Sequence, residues 1–261
     1  MPWELSVAAS TIAKSAVSDD VCGANGWALA GVLPQIWTAR HLLEKPEAFV
    51  IADGIQPGYG ALGAQLLARE ASTPSNVATP QAIGATIERL HAELMDADYF
   101  PTNWGVTLDR LRIPGATIVG CRVDPANQNS GILIFNVGDA GAFVLDTGHL
   151  AKQSIDDRVG SGTLTQSIGG GPLGDPKPHI RSLRLGQLNR ILLCSDGLTD
   201  TLSYPVIDKA VSRAKVPKET ATNLLKALPR DGMLDDVTVI VIDVTYSRPQ
   251  SMPRPTSQRR N

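Results

Sequence analysis

The stretch ILIFNVGDAGAFVLDTG, from Ile132 to Gly148, decides the fold class. Two runs rich in β-branched residues flank Asp139-Ala140-Gly141, so the pattern predicts an antiparallel hairpin bending at that trio. The second run is AFVLDT (Ala142 to Thr147). Further out, four more runs share this character: FVIAD (Phe49 to Asp53), ATIVGCRVD (Ala116 to Asp124), ILLCSD (Ile191 to Asp196) and VTVIVIDV (Val237 to Val244). Helical spacing appears instead in ALGAQLLARE (Ala61 to Glu70), in PQAIGATIERLHAELM (Pro80 to Met95), and near Val206 to Ala214 and Lys218 to Leu228. Strands and helices thus come in blocks without regular βαβ alternation, which argues for antiparallel sheets with helices packed outside, an α+β fold. STPSNVATP (Ser72 to Pro80) reads as a surface connection between two helices. Thr79-Pro80 is a helix start, since proline suits the first helical position. VLPQIWTARHLLEKPE (Val32 to Glu47) reads as an enlarged loop whose Trp37 could pack or bind a partner.

The 261 residues are 43% apolar and 19% charged, and 26 acidic against 24 basic side chains leave a formal charge of -2. That balance excludes disorder, collagen and coiled coil, and it leaves no strong field to attract nucleic acid or an anionic membrane. One domain over residues 1–246 is expected, followed by a mobile basic tail, SRPQSMPRPTSQRRN, that has almost no aliphatic residue to bury. Cys22, Cys121 and Cys194 are odd in number and far apart, which fits neither a disulfide framework nor a zinc knuckle. Cys194 lies inside an apolar strand and reads as core. MPWELSVAAS lacks the features of a signal peptide, and no stretch approaches the ~18 apolar residues of a membrane helix, so a reducing cytoplasm is the expected compartment.

Two strongly apolar strands end alike, FVIADG at Asp53-Gly54 and ILLCSDG at Asp196-Gly197. Asp235-Asp236 opens VTVIVID, and Asp19-Asp20 lies in a polar turn before GWALAG. Singly, each is an ordinary turn signal. Jointly, they could converge on one cleft, where crowded carboxylates are tolerable only if protonated or bound to cations. Oxygen-only ligands suit magnesium or manganese, and the lack of neighbouring His or Cys argues against zinc.

The chain resembles the metal-dependent protein phosphatases of the 2C type, in their bacterial form. The resemblance is carried, in order, by SDD (Ser18 to Asp20), FVIADG (Phe49 to Gly54), GATIVG (Gly115 to Gly120), NVGDAGAFVL (Asn136 to Leu145), LTQSIGG (Leu164 to Gly170), LLCSDGLTD (Leu192 to Asp200) and DDVTVIVI (Asp235 to Ile242). It implies two antiparallel sheets stacked face to face, a four-layer α/β/β/α sandwich with the metal site at one edge. It also implies a serine/threonine phosphoprotein phosphatase that uses two or three Mn2+ or Mg2+ ions and reverses the work of a kinase. On this reading the catalytic acids are Asp20, Asp53, Asp196 and Asp235. Asp53 would bridge two ions, and the Gly54 carbonyl, Asp196 and Asp235 would complete the first ion's shell. Asp20, with Asp19 beside it, matches the acid of the first motif. Asp139 matches an aspartate that helps to hold a third ion with the acid of the SDG motif, and Asp200 and Asp236 would act as electrostatic partners. Two ions about 4 Å apart would make a bridging water reactive for in-line attack on phosphorus. No nucleophile motif such as GxSxG is then needed.

The departures from the family pattern are local. Ser15 stands where many relatives carry a phosphate-binding arginine, with Lys14 adjacent as a possible point charge. No histidine follows Gly54, and His41, His91, His149 and His179 lie in contexts that read as surface or structural. The interval Thr147 to Thr163, containing SIDDRVGSG, is short for the flap that relatives carry beside the site. Two other readings compete. Gly58-Tyr59-Gly60-Ala61-Leu62-Gly63 matches the GxGxxG of dinucleotide-binding oxidoreductases, but no second strand ending in an acid follows at the required distance. A catalytically weak or silent phosphatase-like binding module is the other, motivated by the missing arginine and histidine.

Overall fold

The computed structural model describes residues 2–246 apart from 15–17, 32, 56–58, 97, 105–112, 128, 161, 172, 187 and 230–232. In chain order its elements are β1 (Trp3–Ile12), β2 (Val21–Ala24), β3 (Trp27–Ala30), β4 (Leu33–Leu43), β5 (Glu47–Gly54), α1 (Gly60–Ala71), α2 (Pro80–Met95), α3 (Tyr99–Trp104), β6 (Gly115–Val123), β7 (Ile132–Val137), β8 (Gly141–Asp146), β9 (His149–Lys152), β10 (Arg158–Val159), β11 (Thr163–Leu164), β12 (Ile168–Gly169), β13 (His179–Leu183), β14 (Leu188–Cys194), α4 (Asp196–Thr201), α5 (Tyr204–Arg213), α6 (Pro217–Ala227) and β15 (Val237–Tyr246). One sheet has the order β4-β1-β15-β14-β8-β9 and the other β13-β7-β6-β5-β2-β3, with β12 also paired to β6; β10 and β11 form a separate two-stranded hairpin.

Side-chain alternation explains the layers. Leu5, Val7 and Ala9 of β1 and Ile240, Ile242 and Val244 of β15 point inward and meet Phe49 and Ile51 of β5 and Val119 and Cys121 of β6 between the sheets. Their neighbours point outward. Val50, Ala52, Ile118 and Phe135 pack under Leu66 and Leu67 of α1 and Ile83, Ile87 and Leu90 of α2. On the opposite side Ala8, Leu192, Val239 and Val241 pack under Ile207 and Val211 of α5 and Ala221 and Leu224 of α6. The result is the four-layer α/β/β/α sandwich that the resemblance implies. Because these strands are buried on both faces, they read as continuous apolar runs instead of alternating ones. Each large side chain so enclosed contributes about 1.5–3 kcal/mol of transfer free energy.

Two expectations need correction. Residues 132–148 do not form a hairpin: β7 pairs with β6 and β13 in one sheet, whereas β8 pairs with β14 and β9 in the other. Gly138-Asp139-Ala140 is the step by which the chain crosses between the layers. Gly138 has φ +98°, and a Cβ there would lie 2.5 Å from Thr117 Cβ, so glycine is required where the crossing strand leaves β6. The stretch Val32 to Glu47 is not a loop, because most of it is β4, paired along β1 from Trp3↔Leu43 to Thr11↔Leu33. It is an edge strand in which Arg40, His41 and Leu42 are exposed, which hid it from a reading based on apolar runs. Trp37 is exposed and, with Trp27 and Leu29, lines an opening between the sheets.

Other expectations hold. The 72–79 connection joins α1 to α2, and the Thr79 hydroxyl caps α2 by accepting from Ala82 N–H at 3.1 Å. Cys22, Cys121 and Cys194 are free and buried, and burial pushes the Cys22 and Cys194 thiols up to about 12. β5 is antiparallel to both its neighbours, which removes the parallel βαβ unit that a dinucleotide site needs. Among the described residues no helix is long and apolar enough to cross a membrane. The tail 247–261 and Ser15 lie outside the described residues.

Candidate metal centre

Strand register brings the separated acids together. Val21 pairs with Ala52, so Asp20, just before β2, stands beside Asp53 near the end of β5. Cys194 pairs with Val239, and Ser195 closes this end of the sheet: its N–H donates to Thr238 O at 3.1 Å and its Oγ accepts from Thr238 N–H at 3.0 Å. Asp196, next in the chain, opens α4 beside Asp235-Asp236. The backbones are tightly packed here. A Cβ on Gly197 would lie 1.9 Å from Asp236 O, and one on Gly54 would lie 2.5 Å from the Gly60 carbonyl carbon. Glycine at both places lets α4 and α1 start against the strand ends.

The carboxylates are crowded and poorly compensated. Asp20 is 1% exposed, and burial pushes its carboxyl up to about 7 even though the hydroxyls of Thr238 and Ser195 pull it back. Burial, then the charges of Asp20 and Asp196, hold Asp53 well above the usual carboxylate range. Asp196 rises to about 6, through burial first and then repulsion from Asp139. Asp53 and Asp196 lie close enough that the charge on one raises the cost of ionising the other. Asp20 Oδ2 and Asp196 Oδ1 are buried and have no hydrogen-bond partner among the described residues. Bare oxygens of this kind on a hard-donor set fit Mg2+ or Mn2+. No three acid, His or Cys side chains among the described residues are already set around one ion position.

The flanking acids have different surroundings. Asp235 is exposed at the rim, adds its charge to Asp53, and accepts Asp236 N–H at 2.8 Å. Asp236 accepts the backbone N–H groups of Lys14 at 2.7 Å and Asp19 at 3.0 Å, which ties the chain ahead of Asp20 to the site. The Asp19 carboxylate receives Ala61 N–H at the start of α1, although burial still raises it. Lys14 is exposed, and its Nζ donates to Leu234 O at 2.6 Å. His91 receives Gly169 N–H, His41 contacts Glu47 and His179 contacts Asp157, so these three histidines have structural partners away from the acids.

Asp139 is brought to the same edge, but beside a residue that the sequence reading missed. Arg158, at the start of β10, donates through Nε to Asp139, through Nη2 to Asp196 and through Nη1 to both carboxylate oxygens of Asp200 at 3.0 Å. The neighbouring Asp157 is also absent from the reading. Buried and central, it accepts from Gly138 N–H at 2.8 Å and from Gln166 Nε2 at 2.9 Å, and bonds to His179 Nε2 at 2.8 Å. The only signal for either residue is an Asp-Arg pair in a short interval.

No protein-family model matches the chain. Over 104 residues, 38% of its length, it is 33% identical to the probable protein phosphatase 2C 33 of Oryza sativa subsp. japonica. Over 140 residues, 46% of its length, it is 31% identical to the serine/threonine protein phosphatase PstP of Mycobacterium tuberculosis. The matches span only 24% and 26% of those two relatives. The solved catalytic domain of PstP in complex with two manganese ions superposes with a TM-score of 0.60 at 22% identity, covering 94% of this chain and all (100%) of that one.

Proposed function

We propose that this chain, a 2C-type metal-dependent phosphatase by fold and by partial sequence match, hydrolyses phosphoserine and phosphothreonine esters of proteins and so opposes a serine/threonine kinase. One observation carries the proposal: three carboxylates from distant strands, Asp20, Asp53 and Asp196, meet in a buried cluster that retains unpartnered oxygens. Asp20, Asp53, the Gly54 carbonyl, Asp196 and Asp235 would hold two divalent cations, Mn2+ or Mg2+, with Asp19 as a further acid at the edge. Bound there, such cations supply an acidic water for attack on phosphorus and positive charge for the phosphoryl oxygens.

The protein's own groups prepare the site. Ser195 and Thr238 restrain the Asp20 carboxylate, and their backbone bonds fix the strand ends that carry Asp196 and Asp235. Asp236 holds the backbone of residues 14 and 19, which keeps the first acidic motif against the second sheet. The short β10–β11 hairpin leaves the cleft beside the acids bounded by Phe143, Lys152, Thr199 and Tyr204, an open surface suited to an extended phosphopeptide. Lys14 is spent on the Leu234 carbonyl, so phosphate capture does not depend on it.

Phosphate release from a phosphothreonine peptide tests the proposal. Release that requires Mn2+, stops with chelator and is lost in Asp53→Asn is the expected result. Absence of Mn2+-dependent release from the wild-type protein would leave the silent binding module as the better reading.

A further inference from the structure

Arg158 is a cation built into the acidic edge. Its guanidinium touches Asp139, which is 5% exposed, together with Asp196 and Asp200, and every one of its nitrogens donates to a carboxylate. Without that charge, the oxygen donors of Asp139, Asp196 and Asp200 would stand at this edge with no counter-charge, although their positions do not by themselves surround an ion. The arginine is also firmly placed. Asp157 exchanges two hydrogen bonds with Gly138, N–H to O at 3.0 Å and Oδ2 from N–H at 2.8 Å, and so locks the start of β10 onto the crossing segment that carries Asp139. A guanidinium stays charged at every pH the fold survives, and its planar fork suits several carboxylates at once.

We infer that Arg158 permanently takes the position that a third divalent ion would occupy between Asp139 and Asp196, so that the chain binds two divalent ions and not three. The inference rests on the proposed dinuclear centre and revises the role expected for Asp139, which becomes the anchor of an arginine. Arg158 is therefore a positioning residue: it holds Asp196 through Oδ2 and fastens the β10–β11 hairpin to the site.

Counting bound manganese decides it, by calorimetry and by the spin-resonance signal of free Mn2+. The wild-type protein should saturate at two equivalents, Arg158→Met should gain a weaker third, and Arg158→Met with Asp139→Asn should return to two. Three equivalents in the wild type would overturn the inference without any variant, and two in a folded Arg158→Met would overturn it as well. No binding to the wild type would remove the dinuclear centre and this inference together, whereas the preceding results leave that centre standing.

Discussion

Asp53 is enclosed and faces two other carboxylates, Asp20 and Asp196. Asp53→Asn should therefore cut turnover by about a thousandfold or more, the scale of several kcal/mol of lost charge stabilisation. The same substitution should leave the metal-free melting temperature equal or higher, because one repelling charge is gone. The metal-free protein should also respond to pH. Asp20 near 7 and Asp196 near 6 are raised from 3.8, so the folded state binds protons that the unfolded state has released. Their contribution is complete below about pH 4 and lost as pH rises through 6 and 7. Melting temperatures in chelator should thus fall from pH 5 to pH 8, and a flat or rising profile would contradict the crowding. Lys14→Ala should leave the Michaelis constant within about twofold, under 0.5 kcal/mol, and a tenfold rise would restore it as a phosphate ligand. Of the proposed metal ligands, Asp53, Asp196 and Asp235 were legible because each stands at or beside the end of a strongly apolar strand, and Asp20 because it lies in an acidic polar turn that matches the family's first motif. Arg158 was not, since its partners come from two distant segments, the crossing turn with Asp139 and α4 with Asp196 and Asp200, that meet only when both sheets are stacked.

At the scale of elements, the crossing between sheets governs the site. β7 and β8 were readable as strands, and so were the ends of α2. Their partners were not readable: strands buried on both faces show no alternation, so nothing local tells a hairpin from a crossover. β4 was missed for the opposite reason, being an edge strand with a half-polar outer face. Gly138 gives this a direct test. Alanine there meets a positive φ and Thr117 at once, and should cost about 1–3 kcal/mol. Because the same turn carries Asp139, urea denaturation of Gly138→Ala should show that loss together with weakened anchoring of Arg158. A turn open to solvent would show only the smaller cost of the positive φ, without the clash with Thr117.

For the whole molecule, the sandwich brings both sheets to one edge and concentrates negative charge there. Arg158 balances part of that charge, and on the proposed reading divalent cations balance the rest. Manganese at a hundredfold excess over its dissociation constant should add about 2.7 kcal/mol per site to stability, read as a rise in melting temperature at pH 8. Fold class and layer order were legible in the block pattern and the resemblance, while the pairing of layers through residues 138–140 required three dimensions. The most direct measurement is the anomalous scattering of manganese in crystals grown with the ion. Two peaks, both within ligand reach of Asp53 and with Arg158 still between Asp139 and Asp196, are expected. A cleft without a peak, or ions bound away from Asp20, Asp53 and Asp196, would contradict the metal centre on which the proposed chemistry depends.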